Sequence, residues 1–366
     1  MSAILMVTQP SDGGVFEHLV GLVAALRERG HRVAVAGPVE HEAERLGGDV
    51  HQLELVRSVS PRQDGPALAR YARVVRAVRP DVIHAHSSKA GALARLGRVA
   101  HPRTPVVYTP HGFAFNGYFE SERERSAYRA VERALAPLAS RVLCVCEAER
   151  RLAASVGPAG RTRTVYNAVA EHVPGPPHPD LAAARGRGPV IGAVSQLRPG
   201  KGVETLVDAM PALLARHPAV SVAVAGSGPL RSEIEAQARA LGVQDSLLLL
   251  GQTDGPGPVL DGSDLFVNPS WAESFPLSTL EAMSASVPVV VTDVGGAGEA
   301  VQDGRTGLLV PARDPGALAD GLARLLDDPE AADGLAGAAL EEVRTRFTVD
   351  RMVDGTTAVY GELTAL

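Results

Sequence analysis

Residues 173–197 read VPGPPHPDLAAARGRGPVIGAVSQL, and the division of this stretch decides the fold. Its first part, 173–188, places four prolines in seven positions: Pro174, Pro176, Pro177 and Pro179. Proline lacks an N–H and fixes φ, so such a run continues neither a helix nor a central strand. It reads as a linker. The remainder, PVIGAVSQL, is a short β-branched apolar run of the kind that forms a buried strand. One folding unit therefore ends here and another begins.

Working outward, both flanks carry the same alternation. Before the linker, ILMVTQP is followed by GVFEHLVGLVAALRERG, where Val15, Leu19, Leu22, Val23 and Leu26 recur at helical spacing. The series continues through HRVAVAG, a strand near HQLELV, helix ALARYARVVRAVR, strand DVIHAH, helix SKAGALARLGRVA and strand PVVYT. A charged helix from Ser121 to about Leu138, strand RVLCVC, a further helix and TRTVYN complete it. After the linker come helix VETLVDAMPALLARH, strand AVSVAVAG, helix PLRSEIEAQARALG, strands SLLLLGQ and DLFVNPS, a helix after Pro276, strand VPVVVTD and closing helices. Strands separated by helices signal parallel sheets with right-handed crossovers. The expectation is an α/β protein with doubly wound domains at 1–172 and 189–345. A C-terminal helix, 346–366, is expected to cross back toward the first domain. In such sheets ligands bind outside the carboxyl ends of the strands, here in a cleft between the domains.

The bulk composition agrees with this. A chain of 366 residues with 45% hydrophobic and 21% charged residues is globular and long enough for two cores. The start, MSAILMVTQPSDGG, has no basic region before its short apolar run and reads as a first strand rather than a signal peptide. No apolar run nears 18 residues, so no spanning helix is expected. Cys144 and Cys146, both placed on strand RVLCVC, share one face but are too far apart to bridge easily, and are expected as buried thiols in a reducing cytoplasm. The net charge of −6 divides unevenly. Residues 1–172 hold 23 basic and 17 acidic residues (+6), and the rest hold 13 and 25 (−12). The basic half suits either an anionic acceptor or membrane surface, or simply solvated arginine faces. Aromatics at 4%, with no basic aromatic strand and no zinc spacing, argue against nucleic acid.

The candidate site residues stand at strand ends. After the first strand, SDGG offers Gly13 and Gly14 ahead of a helix N-terminus, a turn suited to phosphate or simply tight. His111 of PHGF follows strand PVVYT. His84 and His86 in DVIHAH form an HxH pair without a third ligand at recognisable spacing, and read as structural. In the second half, Arg198 and Lys201 of RPGKG precede a helix, two cations placed for a diphosphate. Gly226 of GSGP ends the next strand, and Gln252 follows Gly251 where a nucleobase could rest. The loop and helix WAESFPLSTLEAM (271–283) carry Glu273 in the loop and Glu281 a turn into the helix, with Pro276 at the helix start.

DLFVNPSWAESFPLSTLEAMSASVPVVVTDVGGAGEAVQDGRTGLLV resembles the signature region of the family 4 retaining glycosyltransferases of the GT-B fold, and Glu273 and Glu281 match that family's E-x7-E pair. The likeness extends to the N-terminal GG, HGF, YNAV (166–169), RPGKG and GSGP, and so covers nearly the whole chain. Residues 86–117 further resemble members that build bacterial polysaccharides on lipid carriers. The resemblance implies a nucleotide-sugar donor, uridine-linked, held mainly by the second domain, and an acceptor held by the first. It implies that Arg198, Lys201 and the Gly14 backbone offset the diphosphate charge. Glu273 would hold sugar hydroxyls and Glu281 the ribose, while His111 would position the donor sugar and serve no role as base. The family's commoner form has glycine at the position of Pro276; proline offers no N–H, leaving Ser274, Phe275 and Leu277 as backbone donors. No D-x-D occurs in the chain, so no metal on the diphosphate and no cofactor is expected. The acceptor is expected to be lipid-linked or a polysaccharide precursor, with peripheral contact at the inner membrane face. The alternatives are a small soluble acceptor such as an aminocyclitol, a UDP-sugar epimerase, or a glycoside hydrolase with its carboxylates about 5–10 Å apart.

Overall fold

In the computed structural model, which describes residues 1–56, 60–117 and 121–364, the chain forms two compact units. The first comprises 1–168 and 349–366, and the second 169–348. The end of the expected C-terminal helix, 365–366, lies outside the described residues.

The first unit is built on strands β1 (Ala3–Thr8), β2 (Arg32–Gly37), β3 (Val50–Gln52), β4 (Val82–His86), β5 (Val106–Thr109), β6 (Arg141–Cys144) and β7 (Thr162–Thr164). They lie in the order β3-β2-β1-β4-β5-β6-β7, and every pairing is parallel. The order reverses at β1 and β4, the switch point where such sheets bind ligands. Helices α1 (Gly13–Glu28), α2 (Pro61–Val78), α3 (Ser88–Gly97), α4 (Glu122–Leu135) and α5 (Glu147–Val156) alternate with the strands. A sheet covered on both faces needs strands apolar on both faces. Accordingly Ile4, Leu5, Met6 and Val7 are all fully buried. In α1 the helical stripe packs Phe16, Leu19, Leu22, Val23 and Leu26 into the core that β1 and β2 share.

The second unit opens with α6 (Pro179–Arg185), then β8 (Val190–Val194), α7 (Val203–Arg216), β9 (Ser221–Ala225), α8 (Arg231–Leu241), β10 (Leu247–Gly251) and α9 (Gly257–Leu260). It continues with β11 (Leu265–Asn268), α10 (Leu277–Ser284), β12 (Val289–Thr292), α11 (Ala297–Ala300), β13 (Leu308–Val310), α12 (Pro315–Asp327) and α13 (Pro329–Arg346). Its six-stranded sheet runs β10-β9-β8-β11-β12-β13, again all parallel. The last helix, α14 (Val349–Thr364), packs in the first unit. There Met352, Val353, Val359 and Tyr360 join the core around α1, and Arg29 pairs with Asp350 and Asp354.

Three details differ from the sequence reading. The stretch 173–188 is not irregular throughout: Pro179 starts α6, whose Leu181 and Ala184 are fully buried against β8 and β9. Proline is tolerated in a first helical turn, where its missing N–H has no partner to lose. The second unit also begins earlier, at Val169, whose N–H donates to Phe347 O at 3.2 Å. Finally, Cys146 is not on a strand. β6 ends at Cys144, and Cys146 caps α5 by accepting the Glu149 N–H at its sulfur. Both cysteines are buried thiols outside any disulfide.

Candidate active site

In the second unit, two strand-end loops are locked together. After β8 the chain turns through Gly200 and Gly202, both with left-handed φ, and enters α7. After β11 the loop 269–273 lies directly on that turn. The Trp271 N–H donates to Gly200 O at 2.9 Å, and the indole Nε1 donates to Thr205 Oγ1 at 2.8 Å. This brings Lys201 Nζ to 2.7 Å from Glu273 Oε2, with Ser270 Oγ at 3.4 Å from the same oxygen. Both partners are only 19% exposed, enough desolvation for the pair to matter. Burial alone would raise the Glu273 carboxyl; the Lys201 ammonium, the Ser274 amide and the Arg198 guanidinium outweigh it and hold the group below the usual carboxylate range. Arg198 Nε also donates to Gln196 Oε1 at 2.9 Å. The structure thus joins three of the predicted residues: Arg198, Lys201 and Glu273.

Glu273 runs into α10. Pro276 is the N-cap, one residue earlier than the helical position expected, and makes no side-chain cap. The first backbone bond within the helix is Leu280 N–H to Pro276 O, so the amides of Leu277, Ser278 and Thr279 precede the i→i−4 ladder. Phe275 is buried against Phe347, with ring centroids 5.4 Å apart, and holds the loop down from below. Glu281 sits in the second turn, partly buried. Gly226 donates its amide to Gly251 O at 2.7 Å, and a Cβ there would stand 2.0 Å from Ser195 O. Gln252 is exposed beyond β10.

Sequence reading missed the glycines that make this packing possible. A Cβ on Gly202 would stand 1.9 Å from Pro269 O, and one on Gly295 would stand 1.7 Å from Glu273 O. Both have left-handed φ, at 71° and 57°. Trp271 also escaped notice, as did Arg313, whose guanidinium lies 4.6 Å over the indole ring. No spacing rule in the sequence links 200–202 to 269–273.

Gly202→Ala is therefore expected to destabilise the second unit by more than the ~1–2 kcal/mol of left-handed strain alone. Gly242→Ala makes the comparison, since Gly242 has nearly the same φ, 70°, but open space around its Cα. Denaturant midpoints of the two variants check this: equal losses would refute the contact argument.

In the first unit, His111 follows β5 with φ 53°, in the left-handed region that a non-glycine residue seldom adopts. Its neighbours impose this. The Gly112 N–H donates to Glu149 Oε1 at 2.5 Å, the Val145 N–H donates to Glu149 Oε2 at 2.9 Å, and Phe113 stacks on Phe115 in a small core. The ring meets His86, Nε2 to Nδ1 at 2.9 Å, and His18, with centroids 4.6 Å apart. His84 and His86 have no third ligand at recognisable spacing in the sequence, but in the structure His18 from α1 and His111 both lie against His86. His84, whose ring centroid lies 4.1 Å from that of His86, has both its own nitrogens engaged, by Tyr360 Oη and Thr109 Oγ1, each at 2.7 Å. A signal for His18 existed, since it interrupts the apolar stripe of α1 between Val15 and Leu22. Gly13 and Gly14 are exposed at the start of that helix, where Asp12 makes no side-chain cap. No described helix is long and apolar enough to cross a membrane.

Two doubly wound parallel-sheet domains are the architecture of the GT-B class of α/β glycosyltransferase. The family profiles agree: "Glycosyl transferase 4-like domain" matches residues 13–168 and "Glycosyl transferases group 1" matches 188–328. The chain belongs to this glycosyltransferase family. It is 30% identical to the glycogen synthase of Mycobacterium tuberculosis over 293 residues, 78% of this chain and 69% of that protein. It is 39% identical to the D-inositol 3-phosphate glycosyltransferase of Salinispora tropica over 191 residues, 49% of this chain and 39% of that one. The crystal structure of Anabaena HepE in complex with UDP and glucose superposes over the whole of both chains, with a TM-score of 0.84 at 23% identity, a likeness of fold.

Proposed function

We propose that this glycosyltransferase takes its sugar from a uridine-diphosphate donor and passes it, with retention of configuration, to an acceptor hydroxyl. The observation that carries this is the Lys201–Glu273 pair beside Arg198, at the N-terminal amides of α10. A departing diphosphate develops negative charge, and preorganised cations and amides there lower the barrier without reorganising. Arg198 and Lys201 meet the phosphates, with the amides of Ser274, Phe275 and Leu277 and without one from Pro276. Glu273, kept ionised by Lys201, accepts hydrogen bonds from sugar hydroxyls, and Glu281 accepts them from the ribose. Gln252 and Gly226 border the base. In the first unit, His111 is assigned to the donor sugar, and Gly13 and Gly14 to phosphate. With the charge met by side chains and amides, the chemistry asks for no metal on the diphosphate. An ionised Glu273 is unsuited to the general-acid role of a glycoside hydrolase. The UDP and glucose of the Anabaena structure are consistent with this donor.

Isothermal titration of the full chain with UDP is expected to give micromolar to low-millimolar binding that weakens with salt, as a charge-dominated site should. An absence of binding would overturn the donor assignment.

For the acceptor, one surface favours a lipid-bearing molecule. Leu96 and Val99, at and just beyond the end of α3, and Val131 and Leu138, on and just beyond α4, are exposed apolar side chains. These segments are tied by the Arg95–Glu132 ion pair and by Arg98, which donates to Leu138 O at 3.0 Å. Exposed apolar groups among arginines suit the surface of an anionic bilayer. Flotation with anionic vesicles is the discriminating measurement. Protein left at the bottom of the gradient would favour a small soluble acceptor instead.

A further inference from the structure

The histidines of the first unit do more than hold one another. His18 and His86 are buried, and His111 is partly so. Each can offer one ring nitrogen such that all three lie within 4.8 Å of one another. Neither nitrogen of His18, nor Nε2 of His86, has a hydrogen-bond partner among the described residues. A buried polar atom left so is costly, about 1–3 kcal/mol, and asks for an explanation. Asn167 lies beside His18, with its own Oδ1 buried and equally unpartnered among the described residues.

We propose that His18, His86 and His111 form a three-histidine site for a divalent transition ion of the zinc class, with a fourth position open to water. Three imidazoles without carboxylate or thiolate select zinc, cobalt, nickel or copper over magnesium or calcium. Metal–nitrogen bonds of about 2.0–2.1 Å put tetrahedral ligands ~3.3 Å apart, within a small side-chain rotation of the observed cluster. The His86 Nδ1···His111 Nε2 contact shares one proton, so one of those rings changes tautomer if the ion takes both of these nitrogens. The ion would leave one His18 nitrogen as an N–H, and Asn167 Oδ1 is the acceptor that fixes it.

The test is titration of the chelator-treated full chain with Co2+, read by its visible ligand-field bands and by thermal stabilisation. Expected are one saturable equivalent, displacement by Zn2+, and affinity lower by about 100-fold or more in His18→Ala. His86→Gln repeats the measurement should His18→Ala fail to fold by circular dichroism. No saturable Co2+ bands in the wild type, or unchanged affinity in the folded variants, would overturn the site. The readout uses neither donor nor transfer, so its failure leaves the sugar-donor reading untouched.

Discussion

Replacing Lys201 with alanine is expected to slow sugar transfer by about 10²–10³-fold, the usual loss when one preorganised charge-stabilising group is removed. Two effects act together. The ammonium that would meet the leaving diphosphate disappears, and Glu273 loses the closest of the groups that hold it ionised. With Lys201 gone, burial dominates and the Glu273 carboxyl rises. In the wild type an activity that needs ionised Glu273 is lost only as pH falls below the ordinary carboxylate range. In Lys201→Ala that acid limb should move to higher pH. Release of UDP from the productive donor, measured across pH, reads both effects. A rate close to wild type, or an unmoved acid limb, would refute the assigned role of the pair.

The second large effect concerns stability, and it lies in the first unit. Glu132 of α4 is almost fully buried and accepts from Arg95 Nη1 at 2.9 Å and from the Tyr108 hydroxyl at 3.0 Å. Arg95, 1% exposed, also donates from Nε to Gly91 O and stacks 4.1 Å over the Tyr108 ring. Glu132→Ala leaves a guanidinium in the interior without its counter-charge, which costs about 3–5 kcal/mol. The double variant Arg95→Met/Glu132→Leu removes both charges and should recover most of that loss. Glu17→Ala, which breaks an exposed pair with Arg45, should cost ~0.5 kcal/mol or less. Denaturant unfolding of the three variants decides the matter. A Glu132→Ala loss no larger than that of Glu17→Ala would show the buried pair to be energetically idle.

This pair also marks where sequence reading stops. The segment SERERSAYRAVERALAPLA reads as a helix of mixed charge, and it is one. Which of its glutamates is buried cannot be read from it, because Glu132 is chosen by Arg95, 37 residues away on another helix. The same holds at the candidate site. RPGKG announces a strand-end turn by its proline and glycines and WAESFPLSTLEAM by its proline, since proline fixes φ and glycine admits backbone angles that other residues avoid. That Lys201 reaches Glu273, 72 residues on, depends on Gly202 and Gly295 admitting two backbones closer than any side chain would allow. Likewise DVIHAH and PHGF are visible as motifs, but the meeting of His18, His86 and His111 follows from the order of β1, β4 and β5.

The sequence by itself determined the two parallel sheets and the strand ends at which the candidate site residues stand. Periodicity and backbone restriction are local properties, and residues a few positions apart suffice to express them. The tertiary structure alone decided which charges are buried together and which histidines converge. Those outcomes rest on contacts between residues far apart in the chain, where shape and burial select the partner and no spacing records the choice.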